Sequence, residues 1–299
     1  MRYQWRLWQL SWIACLVMTC LASISRADAP NSSDFRFGWL NQLDSRTMYA
    51  ADFFPEPLLA EEGDSDQELR TTWLHAEGSG ASQDLLSAEV EDNIGLTTFE
   101  IDGGWERDTF YDADDDDSTD PDTVQGMDSV ELTVRHPFLQ WISADGTIDD
   151  TVVAGFSLSI PVNTAVSEDF EIEPQAWNML RLGDHWTVQT RVAYSNLVGG
   201  GDEGNQDTLE YAATLGYRVD LGNAIVRQLT PLAELDGEDP LNHSAAGDDQ
   251  LQGVVGAELG FRGSEDIQPS LSVGYTFPID AGARREFQWG IVTSLMIDF

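Results

Sequence analysis

The 299-residue sequence contains no lysine. All its basic charge is 15 arginines, set against 53 acidic residues, for a formal net charge of −38. A chain this acidic repels nucleic acid and other polyanions, which removes them as partners. Cysteine is almost as scarce: Cys15 and Cys20 are the only two, and neither follows a convincing lipoprotein box. Beyond residue 27 the chain has no thiol, so it has neither disulfide staples nor thiolate chemistry. Histidine occurs four times, at His75, His136, His185 and His243, without metal-ligand spacing. His243 has Ser244 beside it, and chain neighbours rarely form a nucleophile–base dyad. No catalytic residue and no cofactor motif stands out, so no enzyme is expected. Long apolar runs are missing too. The one at 10–24 is too short and too interrupted to span a membrane as a helix.

That run has another explanation. Arg2 and Arg6 precede it, and "SRA" at 25–27 places small residues where a signal peptidase cuts. Residues 1–27 therefore read as a secretory signal peptide, with the mature chain starting near Asp28. With no other long apolar run, any membrane crossing must be made by strands.

Residues 28–68 differ from the rest. They hold "FRFGWL" and "ADFFPEPLLAEEGDSDQE", rich in proline and acids, and read as a loosely structured N-terminal extension with one short helix at 56–62. Two placements are open. The acid-rich end suits a disordered periplasmic tail. Alternatively the segment enters a barrel as a plug, with Phe35, Phe37, Trp39 and Leu40 as anchors and Arg36 and Arg46 meeting wall carboxylates.

From residue 69 onward period-two segments dominate. In 267–279, Ile267, Pro269, Leu271, Val273, Tyr275, Phe277 and Ile279 alternate with polar or small residues, and 186–198, 208–220 and 251–262 repeat the pattern. Weaker strands at 69–77, 84–91, 95–107, 126–140, 149–162, 169–182 and 224–236, with the C-terminal strand, bring the total to twelve. A soluble secreted sandwich also alternates. Three features favour an all-β, antiparallel transmembrane β-barrel of about 12 strands over residues 69–299. The segments exceed the usual soluble strand. Aromatic residues such as Trp105, Trp141, Trp186, Tyr217, Phe261, Phe277 and Trp289 recur near strand ends, as interface girdles do. Connections alternate long and short, as in barrels with short periplasmic turns and longer outer loops.

The chain ends "REFQWGIVTSLMIDF", with Ile297, Leu295, Thr293, Ile291 and Trp289 at alternate positions behind Phe299. Bacterial outer-membrane barrels commonly end on an aromatic residue that the assembly machinery reads, and Phe299 resembles that assembly signal. Three further stretches resemble the outer-membrane transporter family named for the MetA (meta-cleavage) pathway of phenol degradation. They are "GMDSVELTVRHPFL" at 126–139, "LTPLAELDGE" at 229–238 and "LSVGYTFPID" at 271–280 before the last strand. The similarity covers roughly 69–299. It implies a Gram-negative-type envelope and uptake of hydrophobic or aromatic compounds, and it brings no catalytic residues.

The alternation places Glu100, Asp102, Glu131, Arg135, Arg191, Glu210, Arg218, Glu234, Glu258, Arg262 and Glu286 on the lumen-lining face. They form either a polar, cation-favouring path or arginine–carboxylate ladders that close the lumen. In the acidic stretch 111–122, Asp112, Asp114 and Asp116 offer oxygen ligands for calcium. Asp117 and Thr123 stand where an EF-hand needs Gly and Glu, and the bland alternative is a solvated loop. The expected function is passive transport or binding of a small solute. The alternative is a structural or surface-interaction barrel whose acidic loops bind cations. The expected partners are outer-membrane lipid, the barrel-assembly machinery through the C-terminal strand, a small solute and calcium.

Overall fold

The computed structural model describes Tyr49, residues 53–64, 67–111, 122–162, 170–198, 206–223, 225–241, 249–264 and 267–299, and the backbone of 35–37. The signal-peptide segment and Asp112, Asp114 and Asp116 lie outside the described residues. The strands are β1 (Phe35–Phe37), β2 (Glu68–Glu77), β3 (Ala81–Ile94), β4 (Thr97–Phe110), β5 (Asp122–Ile142), β6 (Ile148–Pro161) and β7 (Phe170–Leu182). They continue with β8 (Trp186–Val198), β9 (Gln206–Tyr217), β10 (Val219–Asp220), β11 (Val226–Pro240), β12 (Gln250–Phe261), β13 (Gln268–Pro278) and β14 (Trp289–Asp298). Among the described residues, twelve long strands pair antiparallel with their sequence neighbours, and β14 returns to β2 from Trp289↔Glu77 to Asp298↔Glu68. The sheet is thus a closed barrel, which leaves no long edge unpaired. β5 runs past the end of β4, whose pairing stops at Thr98↔Arg135, and β1 takes the edge left free at Leu139–Trp141.

The barrel is inside out relative to a soluble core. Val255, Val273, Tyr275, Leu295 and Ile101 point outward and are about half exposed, while Arg135, Glu91, Thr151, Gln228 and Ser272 on the inner face are at most 1% exposed. A soluble sandwich would bury the apolar face. An apolar outer band around a polar interior is the membrane arrangement. Among the described residues no helix is long and apolar enough to cross a membrane. At one rim Trp186 packs on Tyr217 across the β8–β9 pair, with ring centroids 4.7 Å apart.

Local chemistry sets the boundaries. β3 and β4 meet in a turn at 95–96 rather than at 92–94, because Gly95 has φ +70° and supplies the left-handed residue. β5 slips register between Pro137 and Leu139, where the proline has no N–H to give the ladder. The turn at 143–147 is built on Asp145, which accepts hydrogen bonds from Ser143 Oγ (2.7 Å) and from the N–H and hydroxyl of Thr147. Those bonds pull its carboxyl down to about 2. The final strand begins later than the alternation suggests, since Ala283–Glu286 form one helical turn, α1, whose first N–H is bound by Asp280. Short connections at 95–96, 143–147 and 183–185 share one end of the barrel with the start of β2 and the end of β14. The strand ends that flank the longer gaps in sequence, Phe110 and Asp122, Pro161 and Phe170, Pro240 and Gln250, and Pro278 and Trp289, share the other end; the exception there is the short gap between Glu77 and Ala81. In outer-membrane barrels the end with the short turns is the periplasmic one.

Candidate functional site

Residues 53–64 run inside the lower, short-turn half of the barrel without adding a strand to the wall. Two apolar groups seat them on different walls. Tyr49, Phe53 and Phe54 pack with Val153, Trp177 and Met179, from β6 and β7. Leu58 packs with Leu232, Val254 and Val292, from β11, β12 and β14. Gly256 and Gly274 make room for Leu58: a Cβ at either position would collide with its Cδ1.

The expected helix at 56–62 is absent. Pro55 and Pro57 interrupt the region, and its amides are used elsewhere. The N–H groups of Leu58, Leu59 and Ala60 donate to the Glu234 carboxylate at 2.8, 3.2 and 2.7 Å, and the Glu56 N–H donates to Glu258 at 3.0 Å. In return Arg70 donates to the Pro57 carbonyl at 2.7 Å, Arg135 to that of Asp64 at 2.9 Å and Trp177 to that of Glu61 at 3.2 Å. A peptide without its own ladder is thus satisfied by wall side chains, as buried backbone must be.

Among the described residues, Arg135 and Arg191 are two of the buried guanidiniums that organise the acids. Arg135, 1% exposed, pairs with Glu62 (3.1 Å), Glu100 (2.7 Å) and Glu91. Arg191 pairs with Glu173, with Glu210 at 3.2 Å and with Glu61 at 3.6 Å. Both therefore bind the wall and the inserted segment together. On the long-loop side of the segment lies a cavity of about 420 Å³. Leu58 and Leu59 form its floor, and Glu89, Asp102, Glu131 and Asp236 stand in its walls.

Of the residues expected to line the lumen, Glu100, Asp102, Glu131, Arg135, Arg191, Glu210, Glu234 and Glu258 lie on inward-facing positions of their strands. Arg218 sits at the short-turn rim, 3.3 Å from Asp220 and with its guanidinium 5.1 Å from the Phe53 ring centroid. Arg262 and Glu286 are corrections. Arg262 is exposed just past the end of β12, and Glu286 is exposed on α1, because the alternation there does not continue as strand. Phe299 is 55% exposed, and its N–H donates to the Gln67 carbonyl at 2.9 Å.

Sequence reasoning missed Arg70, Glu89 and Glu91 as inward residues, and Glu56, Glu62 and Glu68 as their neighbours. The period-two signal in β3 is blurred by Leu85 beside Leu86, one facing each side. For Glu56 and Glu62 no periodicity exists to read.

No family model and no curated protein matches the chain. Solved structures do. An outer-membrane channel from Pseudomonas putida F1 aligns over 83% of this chain and 98% of its own, with a TM-score of 0.51 and 12% identity. The NanC and KdgM porins each align over 77% of this chain, at 12% identity and TM-scores of 0.46 and 0.44, covering 98% and 99% of their own. The likeness is one of fold. This chain has the fold of a bacterial outer-membrane β-barrel and resides in the outer membrane.

Proposed function

We propose that this outer-membrane barrel passes or binds a small solute, with residues 53–64 as an internal plug that limits the passage. The observation that carries the reading is the cavity of about 420 Å³ enclosed by a barrel and floored by a segment that is not part of the sheet. Its lining joins apolar Leu58, Leu74 and Val292 to the carboxylates of Glu89, Asp102 and Glu131. A small solute with an apolar body and polar or cationic groups suits such a lining, because each part finds a matching wall. The resemblance of 126–139, 229–238 and 271–299 to the phenol-degradation transporter family supports a hydrophobic or aromatic compound as cargo.

Planar-bilayer recordings of the full chain and of a deletion of residues 53–64 test this. The expected result is small or rare conductance from the full chain and a several-fold larger conductance from the deletion. A deletion that folds yet conducts no more than the full chain would leave the structural-barrel alternative in its place.

A further inference from the structure

Glu68 opens β2 at the base of the barrel and points inward, 1% exposed. Among the described residues its Oε1 accepts no hydrogen bond, and no arginine bridges the side chain. Its neighbours are carboxylates. The ligand oxygens of Glu56, Glu62 and Glu68 lie within 4.8 Å of one another, and those of Glu68, Glu89 and Glu91 do the same. Glu68 is the member common to both groups. Two guanidiniums serve the rest. Arg70 pairs with Glu56 and reaches Glu89 at 3.6 Å, and Arg135 takes Glu62, Glu91 and Glu100. Five carboxylates thus share two cations and the sixth has none. An unpaired carboxylate buried among like charges is strongly disfavoured unless something positive joins it.

We propose that Glu68, with Glu56 and Glu62, holds a hard divalent cation, calcium in the first place. The donors are all carboxylate oxygens, with no nitrogen or sulfur, which selects a hard ion. Two oxygens that each sit about 2.4 Å from a calcium stand at most about 4.8 Å apart, and all three carboxylates come within that limit of one another, so one ion could reach all of them. Magnesium keeps several waters, which this closed pocket disfavours. The site joins two parts of the molecule: Glu56 and Glu62 belong to the inserted segment, and Glu68 to the wall. The ion fastens the base of the segment to β2.

The test uses the full chain in detergent, stripped with a chelator and titrated with calcium by calorimetry at pH 7.5. The variants are Glu68→Gln, Glu62→Gln, and a triple Asp112→Asn, Asp114→Asn, Asp116→Asn change that disables the acidic loop. Wild type and the loop variant are expected to bind one common ion. Glu68→Gln and Glu62→Gln should bind it at least tenfold more weakly, with the folded, heat-shifted gel band as the check that either variant can be read. Calcium should also slow amide hydrogen exchange over 53–64 in the wild type. No binding by wild type, a folded glutamine variant that binds as wild type does, loss of the ion only in the loop variant, or unchanged exchange overturns the proposal. Conductance plays no part in these measurements, so their failure leaves the passage reading standing.

Discussion

Arg135 is where the buried charge of the barrel converges. Its guanidinium meets three carboxylates from two strands and the inserted segment, and its Nε binds the Asp64 carbonyl. Replacing it with methionine keeps most of the volume but strands Glu62, Glu91 and Glu100 in a closed site. Breaking a buried pair from one side costs about 3–5 kcal/mol. Arg135→Met should therefore lower the urea midpoint of the detergent-folded barrel markedly. Arg135→Lys should recover only part of the loss, because an ammonium cannot serve three partners with a planar fork. A midpoint unchanged by Arg135→Met would mean that these acids are neutralised by other means. Phe299 belongs to the same scale, and the role proposed for it is in assembly. Its ring is exposed and its backbone N–H donates to the Gln67 carbonyl. Deleting it, or changing it to Asp, should remove the protein from the membrane fraction while export continues. Normal membrane levels of the deletion would end its assignment as an assembly signal.

At the scale of the element, each strand has two faces with opposite tolerances. Val255, mid-strand in β12, is half exposed on the outer face, and Gln252 lines the cavity. Val255→Arg places a charge in lipid at about 2–4 kcal/mol near the midplane. Gln252→Arg sits three residues away beside Asp236, with which Gln252 already hydrogen-bonds at 3.2 Å, and should fold. Equal folding yields in a liposome-refolding assay would contradict the register. Inward does not always mean roomy: Ser272 alternates correctly yet is 1% exposed. The inserted segment is the other element with its own test. Glu234 receives three of its amides, and Glu234→Ala would leave those donors buried and unmet at about 1–3 kcal/mol each. Faster amide exchange over 58–60, with the wall strands unchanged, is the expected outcome.

For the whole molecule, the expected selectivity follows from charge. The chain carries −38 formally, and the cavity walls present Glu89, Asp102, Glu131 and Asp236 against Arg70. Reversal potentials across a salt gradient should show a cation preference for any pore the barrel forms, weakening as ionic strength rises. A clearly anion-selective pore would place control of the path with the arginines instead.

The sequence by itself determined the wall. A period of two repeated over strands of 10 residues or more fixes which side chains face lipid, and strand positions follow to within a few residues. The exceptions are local: Gly95 moves a turn, and Asp280 with α1 delays the last strand. Only the tertiary structure decided the interior. Arg135 and Glu91 are 44 positions apart, and Leu58 and Glu234 176 apart, and they meet because β14 closes on β2 and turns every inner face toward one axis. Residues 53–64 carry no periodicity, since their amides are satisfied by side chains spread around the barrel rather than by a neighbouring strand. A segment held in that way leaves no repeating pattern along the chain, so its place exists only once the barrel is closed around it.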